Sequence, residues 1–364
     1  MSDSIYGKFY SPEHALSYGR PWIISIGSRS IGKSTGWMID TIRRYLKNGE
    51  RFIYLRRTDD EVKSTAASCC DSACIILKNA GFDVDHIVAY KRHFWLYKTP
   101  NEDGKEKPED IGMYFSLSTA YKLKSANFGA QNYNRIIYDE FINIDPTKYL
   151  GTKDNFTYEF DRCLELYQTV DRGVGEAYRN STSFIFIANL ASYYNPIFMG
   201  LGVDQYLRTD SKNIAPKGKM WVCEQTKEVD ATADYKKSFS YLLANEANQA
   251  YAYENVAFDE SMEYVRKIDS PMRGLFNVAF DGAVYGVYWV EDESLMYVST
   301  HKTPLRTFAL KTGAQREGLS DLLVVRAGEN NMLKNMRNLY YAGKLICETR
   351  KARYHMANYF MLTP

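Results

Sequence analysis

Gly27-Ser28-Arg29-Ser30-Ile31-Gly32-Lys33-Ser34-Thr35 is the stretch on which the fold turns. It fits G-x-x-x-x-G-K-[ST], in which backbone N–H groups cradle phosphates, the lysine reaches the β/γ oxygens and the hydroxyl ligates Mg²⁺. All nine residues are candidate phosphate contacts, and Ser34 is also a candidate metal ligand. The flanks agree. Trp22-Ile23-Ile24-Ser25-Ile26 is an apolar run of strand length, and Met38, Ile39, Ile42, Tyr45 and Leu46 recur at helical spacing behind the loop. Asn48-Gly49 predicts the helix stop, because glycine adopts the left-handed terminal conformation without a Cβ clash.

Phe52-Ile53-Tyr54-Leu55 is the next β-branched and aromatic run, so strand, loop, helix and strand form a βαβ unit. Such a unit implies a parallel sheet with a right-handed crossover. Arg56-Arg57-Thr58-Asp59-Asp60-Glu61 follows at the strand end, the edge where open α/β sheets bind ligands. The two arginines read equally as phosphate contacts or as members of a solvated, salt-bridged turn. Residues 61–80 read as one helix and 87–97 as strand material. The polar segment 99–110 reads as an exposed loop joining a hairpin whose return strand is 111–117.

Arg135-Ile136-Ile137-Tyr138-Asp139-Glu140-Phe141 is an apolar strand ending in two adjacent carboxylates. Surface turns also carry such pairs, but roughly a hundred residues beyond a phosphate loop the pair acquires a meaning. Asp139 then belongs to the Mg²⁺ shell and Glu140 polarises the attacking water as general base. A helix is predicted over 160–170 and a strand over 183–188, ending at Asn189. That carboxamide either senses the γ-phosphate and orients water or closes an Asx turn.

Composition bounds the rest. A chain of 364 residues, 45% hydrophobic, is long enough for two domains. The formal charge is only +2, from 46 Lys+Arg against 44 Asp+Glu, so nucleic-acid affinity must come from local patches. The six cysteines form no C-x-x-C pair, which argues against zinc and for reduced thiols in a cytosolic compartment. Neither a signal peptide nor an apolar run of the ~18 residues a span requires is visible, so the expectation is a soluble intracellular protein without a membrane partner. The 30 tyrosines read as core and subunit-contact side chains in preference to base-stacking platforms.

Beyond about residue 225 the character changes. Residues 227–248 read as a polar, connecting helical segment. Segments 275–280, 283–290 and 295–298 form a three-stranded antiparallel meander, with Asp281-Gly282 the hairpin turn and Glu291-Asp292-Glu293-Ser294 the second turn. The tail 331–364 reads as one or two helices carrying Lys334, Arg337, Lys344, Arg350, Lys351 and Arg353 against Glu348. It is either a track for a DNA backbone or a solvated helical face.

In order and wording these stretches resemble the genome-packaging ATPases of phi29-like bacteriophages, a compact branch related to the large terminases. The resemblance spans nearly the whole chain. It rests on the phosphate loop, Phe52-Ile53-Tyr54-Leu55-Arg56-Arg57, Lys124-Ser125-Ala126-Asn127, Ile137-Tyr138-Asp139-Glu140-Phe141-Ile142, Thr169-Val170-Asp171-Arg172, Ala188-Asn189, Gly286-Val287-Tyr288-Trp289 and Leu295-Met296-Tyr297. What it implies is an α/β fold: an ASCE, RecA-like parallel-sheet ATPase domain over 1–226, a helical linker over 227–252 and a smaller α+β RNase H-like domain over 253–364. It implies ATP and Mg²⁺, and a homo-oligomeric ring, pentameric in the family, that docks on a procapsid portal with a structural RNA as a further component. That ring drives double-stranded DNA inward, in the host cytoplasm.

Residue by residue, the resemblance makes Arg172 a trans-acting arginine finger and sets Lys124 at the subunit boundary. Arg29 matches a basic position early in the terminase loop, a phosphate or neighbour contact with a structural role equally open. Asp59 stands where relatives can have a basic residue, and the 99–110 loop is longer than the family pattern. A two-metal nuclease requires several carboxylates converging on one face. Here Asp281, Glu291, Asp292 and Glu293 all fall in turns, so the second domain is expected to lack nuclease activity. The competing readings are a P-loop kinase of a small metabolite and a nucleotide-gated assembly subunit that does not hydrolyse.

Overall fold

The computed structural model describes the chain apart from residues 1–4, 8, 100–106, 124–127, 144–147, 152–156, 173–180, 193–194, 204–205, 207–212, 227–241, 244–263, 281–282, 311–321, 326–329, 350, 354, 357–359 and 361–364. It divides into two compact units, Met1–Leu150 with Thr157–Phe258, and Gly151–Phe156 with Asp259–Pro364. The expected helical linker over 227–252 lies outside the described residues apart from Leu242 and Leu243.

In chain order the first unit contains α1 (Glu13–Ser17), β1 (Trp22–Gly27), α2 (Lys33–Asn48), β2 (Arg51–Arg56), α3 (Asp59–Ala66), α4 (Asp71–Asn79), β3 (His86–Tyr90), β4 (His93–Tyr97) and β5 (Glu109–Ser116). It continues with β6 (Tyr133–Asp139), α5 (Tyr158–Val170), β7 (Ser183–Asn189), α6 (Pro196–Leu201), β8 (Asn213–Ile214) and β9 (Trp221–Thr226). Among the described residues these strands form one nine-stranded sheet in the order β3-β4-β5-β2-β6-β7-β1-β9-β8. From β5 to β9 every pairing is parallel; β4 against β5, β3 against β4 and β8 against β9 are antiparallel. This is the ASCE, RecA-like arrangement. β1 and β2 are consecutive in sequence but stand apart, with β6 and β7 between them.

The central strands are buried along almost their whole length: all six residues of β1 and five of seven in β7. A parallel sheet covered on both faces demands such unbroken apolar runs, which is why β1 and β7 do not alternate. α2 packs Trp37, Met38, Ile39 and Ile42 into the core beside Phe52 and Ile137. It begins at Lys33 and stops at Gly49, whose φ of 67° lets its N–H reach Tyr45 O at 2.7 Å.

Two expectations change here. The single helix over 61–80 is two. α3 starts on a capping box in which Thr58 and Glu61 satisfy each other's backbone N–H groups. The hydroxyls of Ser64 and Thr65 then both donate to Glu61 O, a back-bonding that competes with helix continuation. The strand material over 87–97 is a hairpin of two strands, β3 and β4, so the expected hairpin across 99–110 is the second of two. Residues 100–106 of that loop lie outside the described residues.

In the second unit the meander is present as β10 (Met272–Phe280), β11 (Ala283–Val290) and β12 (Leu295–Ser299). Phe280 pairs with Ala283, while Asp281 and Gly282 lie outside the described residues. β13 (Thr307–Leu310) adds in parallel to β10 and β14 (Leu322–Val325) in parallel to β13. After α7 (Asn331–Tyr341), β15 (Leu345–Cys347) returns in parallel to β12. The resulting order, β14-β13-β10-β11-β12-β15, is the RNase H-like α+β arrangement. The tail is therefore not all helix. Lys344 precedes a buried strand, and Arg353 stacks over Tyr264 and Tyr340 while donating to Leu345 O at 3.0 Å.

Glu291, Asp292 and Glu293 sit exposed in the turn between β11 and β12, Glu293 paired with Arg266. All six cysteines are unbridged. Among the described residues no helix is long and apolar enough to cross a membrane.

Candidate nucleotide site

The site assembles at the edge where β1, β2, β6 and β7 all end, because parallel strands deliver their C-terminal residues to one side. β1 hands over to the loop at Gly27, where an added Cβ would stand 2.4 Å from Thr226 O of the adjoining β9. Gly32 turns the chain into α2 at φ +82°, and a Cβ there would meet Phe9 at 2.9 Å. Ser30 also has a left-handed φ, 61°. The loop is held from outside by the segment preceding α1: Tyr10 N donates to Ile31 O at 2.9 Å, and the Tyr10 hydroxyl donates to Glu224 of β9.

Lys33 is buried, with its ammonium folded back onto the loop. It donates to Gly27 O at 3.0 Å, Ser28 O at 2.6 Å and the Asn189 carboxamide oxygen at 3.2 Å. Burial pushes its pKa down to about 7; Asp139 opposes this and Arg29 adds to it. Asn189, whose role was open, therefore lies at the end of β7 in contact with Lys33.

Ser34, the first hydroxyl of α2, donates to Asp139 Oδ1 at 3.1 Å, and the Tyr54 hydroxyl donates to Asp139 Oδ2 at 3.2 Å. Burial raises the Asp139 carboxyl above its usual range, while Arg56 pulls it down. A buried carboxylate oxygen beside a hydroxyl is a set of hard oxygen donors suited to Mg²⁺, and a cation there would hold the acid ionised. Glu140 follows with φ +55° and a side chain 62% exposed. The backbone of Phe141 donates to Ile187 O, so the chain bends back to the sheet directly after the glutamate.

A groove of about 380 Å³ runs between the phosphate loop, Asp139, Glu140 and Asn189. Ser30, Gly32, Lys33, Ser34 and Thr35 line it, with Arg29 at its exposed rim. Ile31 and Ser28 are instead buried, Ile31 with its side chain against Gly27. A second cavity of about 200 Å³ opens beyond Asp139 between Tyr54, Arg56, Thr65 and Cys69.

Arg56, the last residue of β2, and Arg57, the next, separate in role, and neither stands in a solvated turn. Arg56 pairs with Glu140 and lies 3.6 Å from Asp139, so it belongs to the site. Arg57 points to the other side of the strand, only 2% exposed. It donates to Glu159 at 3.0 Å and to Phe141 O at 2.6 Å, and covers the Tyr149 ring at 4.9 Å. Arg56 was only half legible in sequence, because its partner depends on β2 lying beside β6.

Arg172 stands elsewhere. α5 precedes β7, and Asp171 at the end of α5 accepts the N–H groups of Ser181 and Thr182, just before β7 starts. The exposed Arg172 is thus at the edge where β7 begins, opposite to the one carrying Lys33 and Asp139. Lys124 lies outside the described residues.

A family model described as Podovirus DNA encapsidation protein (Gp16) matches residues 1–361. The chain is 26% identical over 345 residues to the DNA packaging protein of Bacillus phage phi29, covering 93% of this chain and 92% of that one. It is 27% identical over 345 residues to the DNA packaging protein of Bacillus phage PZA, with the same coverage of 93% and 92%. In fold it resembles a chain of the bacteriophage phi29 viral genome packaging motor assembly, with a TM-score of 0.66 at 22% identity over 97% of this chain and 100% of that one.

Proposed function

Because the chain belongs to the podovirus DNA encapsidation protein (Gp16) family, we propose that it is the ATP-hydrolysing subunit of a viral genome-packaging motor. The observation that carries the ATPase half is the junction of Ser34 with Asp139 at 3.1 Å, with Lys33 on one side and Glu140 on the other. In this reading the loop N–H groups and Lys33 bind the β/γ-phosphates. Ser34 and Asp139 would hold Mg²⁺, which would supply charge neutralisation at the phosphates. Glu140 accepts the proton of the attacking water, and Asn189 faces the γ-phosphate. Lys33 exchanges the Gly27, Ser28 and Asn189 oxygens for phosphate oxygens on binding. Glu140 leaves Arg56 to reach the water.

The same reading makes Arg172 a finger offered to a neighbour, with Lys124 at the same boundary. A guanidinium at the far edge of its own sheet serves another subunit's site more readily than its own. The assembly is then a homo-oligomeric, pentameric ring on a procapsid portal in the host cytoplasm, translocating double-stranded DNA, with a structural RNA as a further component. Residues 1–226 form the motor domain, 227–252 a helical linker, and 253–364 a domain without nuclease activity that contacts nucleic acid or portal.

The test is ATP turnover by the whole chain with and without duplex DNA, run beside Glu140→Gln. Hydrolysis stimulated by the duplex, and lost in Glu140→Gln while ATP binding persists, supports the motor. Packaging that survives Glu140→Gln would favour a nucleotide-gated assembly subunit, and phosphate transferred to a small acceptor would favour a kinase.

A further inference from the structure

We propose that the tip of the β3–β4 hairpin, Lys91 and Arg92 with Tyr90 beside them, is a contact for the phosphate backbone of double-stranded DNA. This rests on the packaging reading and supplies a DNA-touching surface for it. Tyr90 and His93 pair across the turn, leaving a two-residue connection in which Lys91 has φ 50° and Arg92 φ 67°. Such turns favour Asn-Gly, because two successive left-handed residues suit short or absent side chains. Here both positions carry long cations. Local preference set aside at a single place points to a use for the side chains themselves.

Their surroundings point the same way. Both residues are exposed and Tyr90 is 57% exposed. Cations towards the opposite end of the hairpin are matched: Lys98 with Glu109 at 2.6 Å, Lys78 with Asp85 at 2.6 Å, Arg51 with Asp110 at 3.6 Å. Among the described residues Lys91 and Arg92 form no ion pair; the Lys91 ammonium lies 5.1 Å from the Tyr90 ring. Two cations without an ion-pair partner and a phenol at a two-residue hairpin tip suit a repeating line of phosphates, which carries charge without requiring sequence readout.

The tip also faces the right edge. Tyr114 N donates to Arg92 O at 3.0 Å, placing the turn beside the last residues of β5, and β5 pairs Ser116 with Arg56. Asp59, at the start of α3, accepts the Ser116 hydroxyl at 2.6 Å. That bond first, and the Arg92 and Lys63 charges after it, hold its carboxyl below the usual range. Arg92 thus lies within electrostatic reach of Asp59, the first residue of α3, on the edge where β2 ends.

The deciding variant is Lys91→Asn/Arg92→Gly in the full-length chain, which relaxes the turn while removing both cations. Duplex binding is read by fluorescence anisotropy over a salt series, beside ATPase and thermal unfolding. The expected result is an unchanged or higher unfolding midpoint, unchanged ATPase without DNA, and lost duplex stimulation. The slope of log K against log salt should fall by about 2, close to 0.9 per phosphate contact. If the unaltered chain binds duplex DNA and the variant matches it in affinity and slope, the hairpin assignment is wrong. A loss confined to duplex RNA also overturns it. If the unaltered chain binds no duplex and gains no ATPase from it, the packaging reading fails and the hairpin assignment with it.

Discussion

Lys33 shows how one residue carries both sequence and context. The pattern names it as a phosphate ligand, but only its burial reveals that it is short of charge before the phosphates arrive. Its folded pKa of about 7 lies below the ordinary 10.5, so between those values the unfolded chain binds more protons than the folded one. Nucleotide-free stability from this group therefore rises with pH from about 7 towards 10.5. ATP brings the missing counter-charge, so binding at pH 8.5 should take up close to one proton. Calorimetry in two buffers of different ionisation enthalpy reads it directly. Uptake should vanish in Lys33→Ala, and uptake that persists would assign the proton to another group.

The strand-to-helix connections hold the edge of the candidate site in place, and the one after β2 is braced from within. Glu159 of α5 is fully buried, taking Arg57 at 3.0 Å, the Tyr138 hydroxyl at 2.7 Å and the backbone N–H of Leu150 at 2.8 Å. Arg57 in turn bonds Phe141 O, one residue beyond Glu140, the proposed general base. Removing one member of such a buried pair leaves an uncompensated charge, so Glu159→Ala should destabilise by about 3–5 kcal/mol. Urea unfolding followed by tryptophan fluorescence measures it. ATP turnover of the folded fraction should fall as well, because Phe141 loses its anchor. A loss under about 1 kcal/mol would mean that water reaches Arg57.

Across the whole molecule the question is whether one chain completes its own site. Lys33, Ser34, Asp139, Glu140 and Asn189 meet at one edge, while Arg172 stands at the other. Mixing Arg172→Ala chains with Lys33→Ala chains tests the trans reading. Each is expected to be nearly inactive alone. Together they should recover part of the ATPase activity, since an intact Lys33 site borrows a neighbour's Arg172. Mixed assemblies that form, as seen by light scattering, yet recover nothing would remove Arg172 from the neighbour's site.

The sequence by itself determined the elements that depend on local pattern. The phosphate loop between a buried strand and an amphipathic helix was legible, as were the strand ending at Asp139-Glu140 and the meander over 275–298. Each has a periodicity or turn chemistry that neighbours only reinforce. What tertiary structure decided were the pairings across the sheet, because strand order is set by how helices cover both faces, not by any one segment. That order put β2 beside β6 and so gave Arg56 to Glu140 and Arg57 to Glu159. It settled Asn189 on Lys33, and it sent Arg172 to the opposite edge. The break between α3 and α4 and the strand at 345–347 were missed for a related reason: hydroxyl back-bonding and edge pairing weigh little in composition, yet each redirects the backbone. A chain pattern can name the groups that do chemistry; which of them touch is a property of the packed sheet.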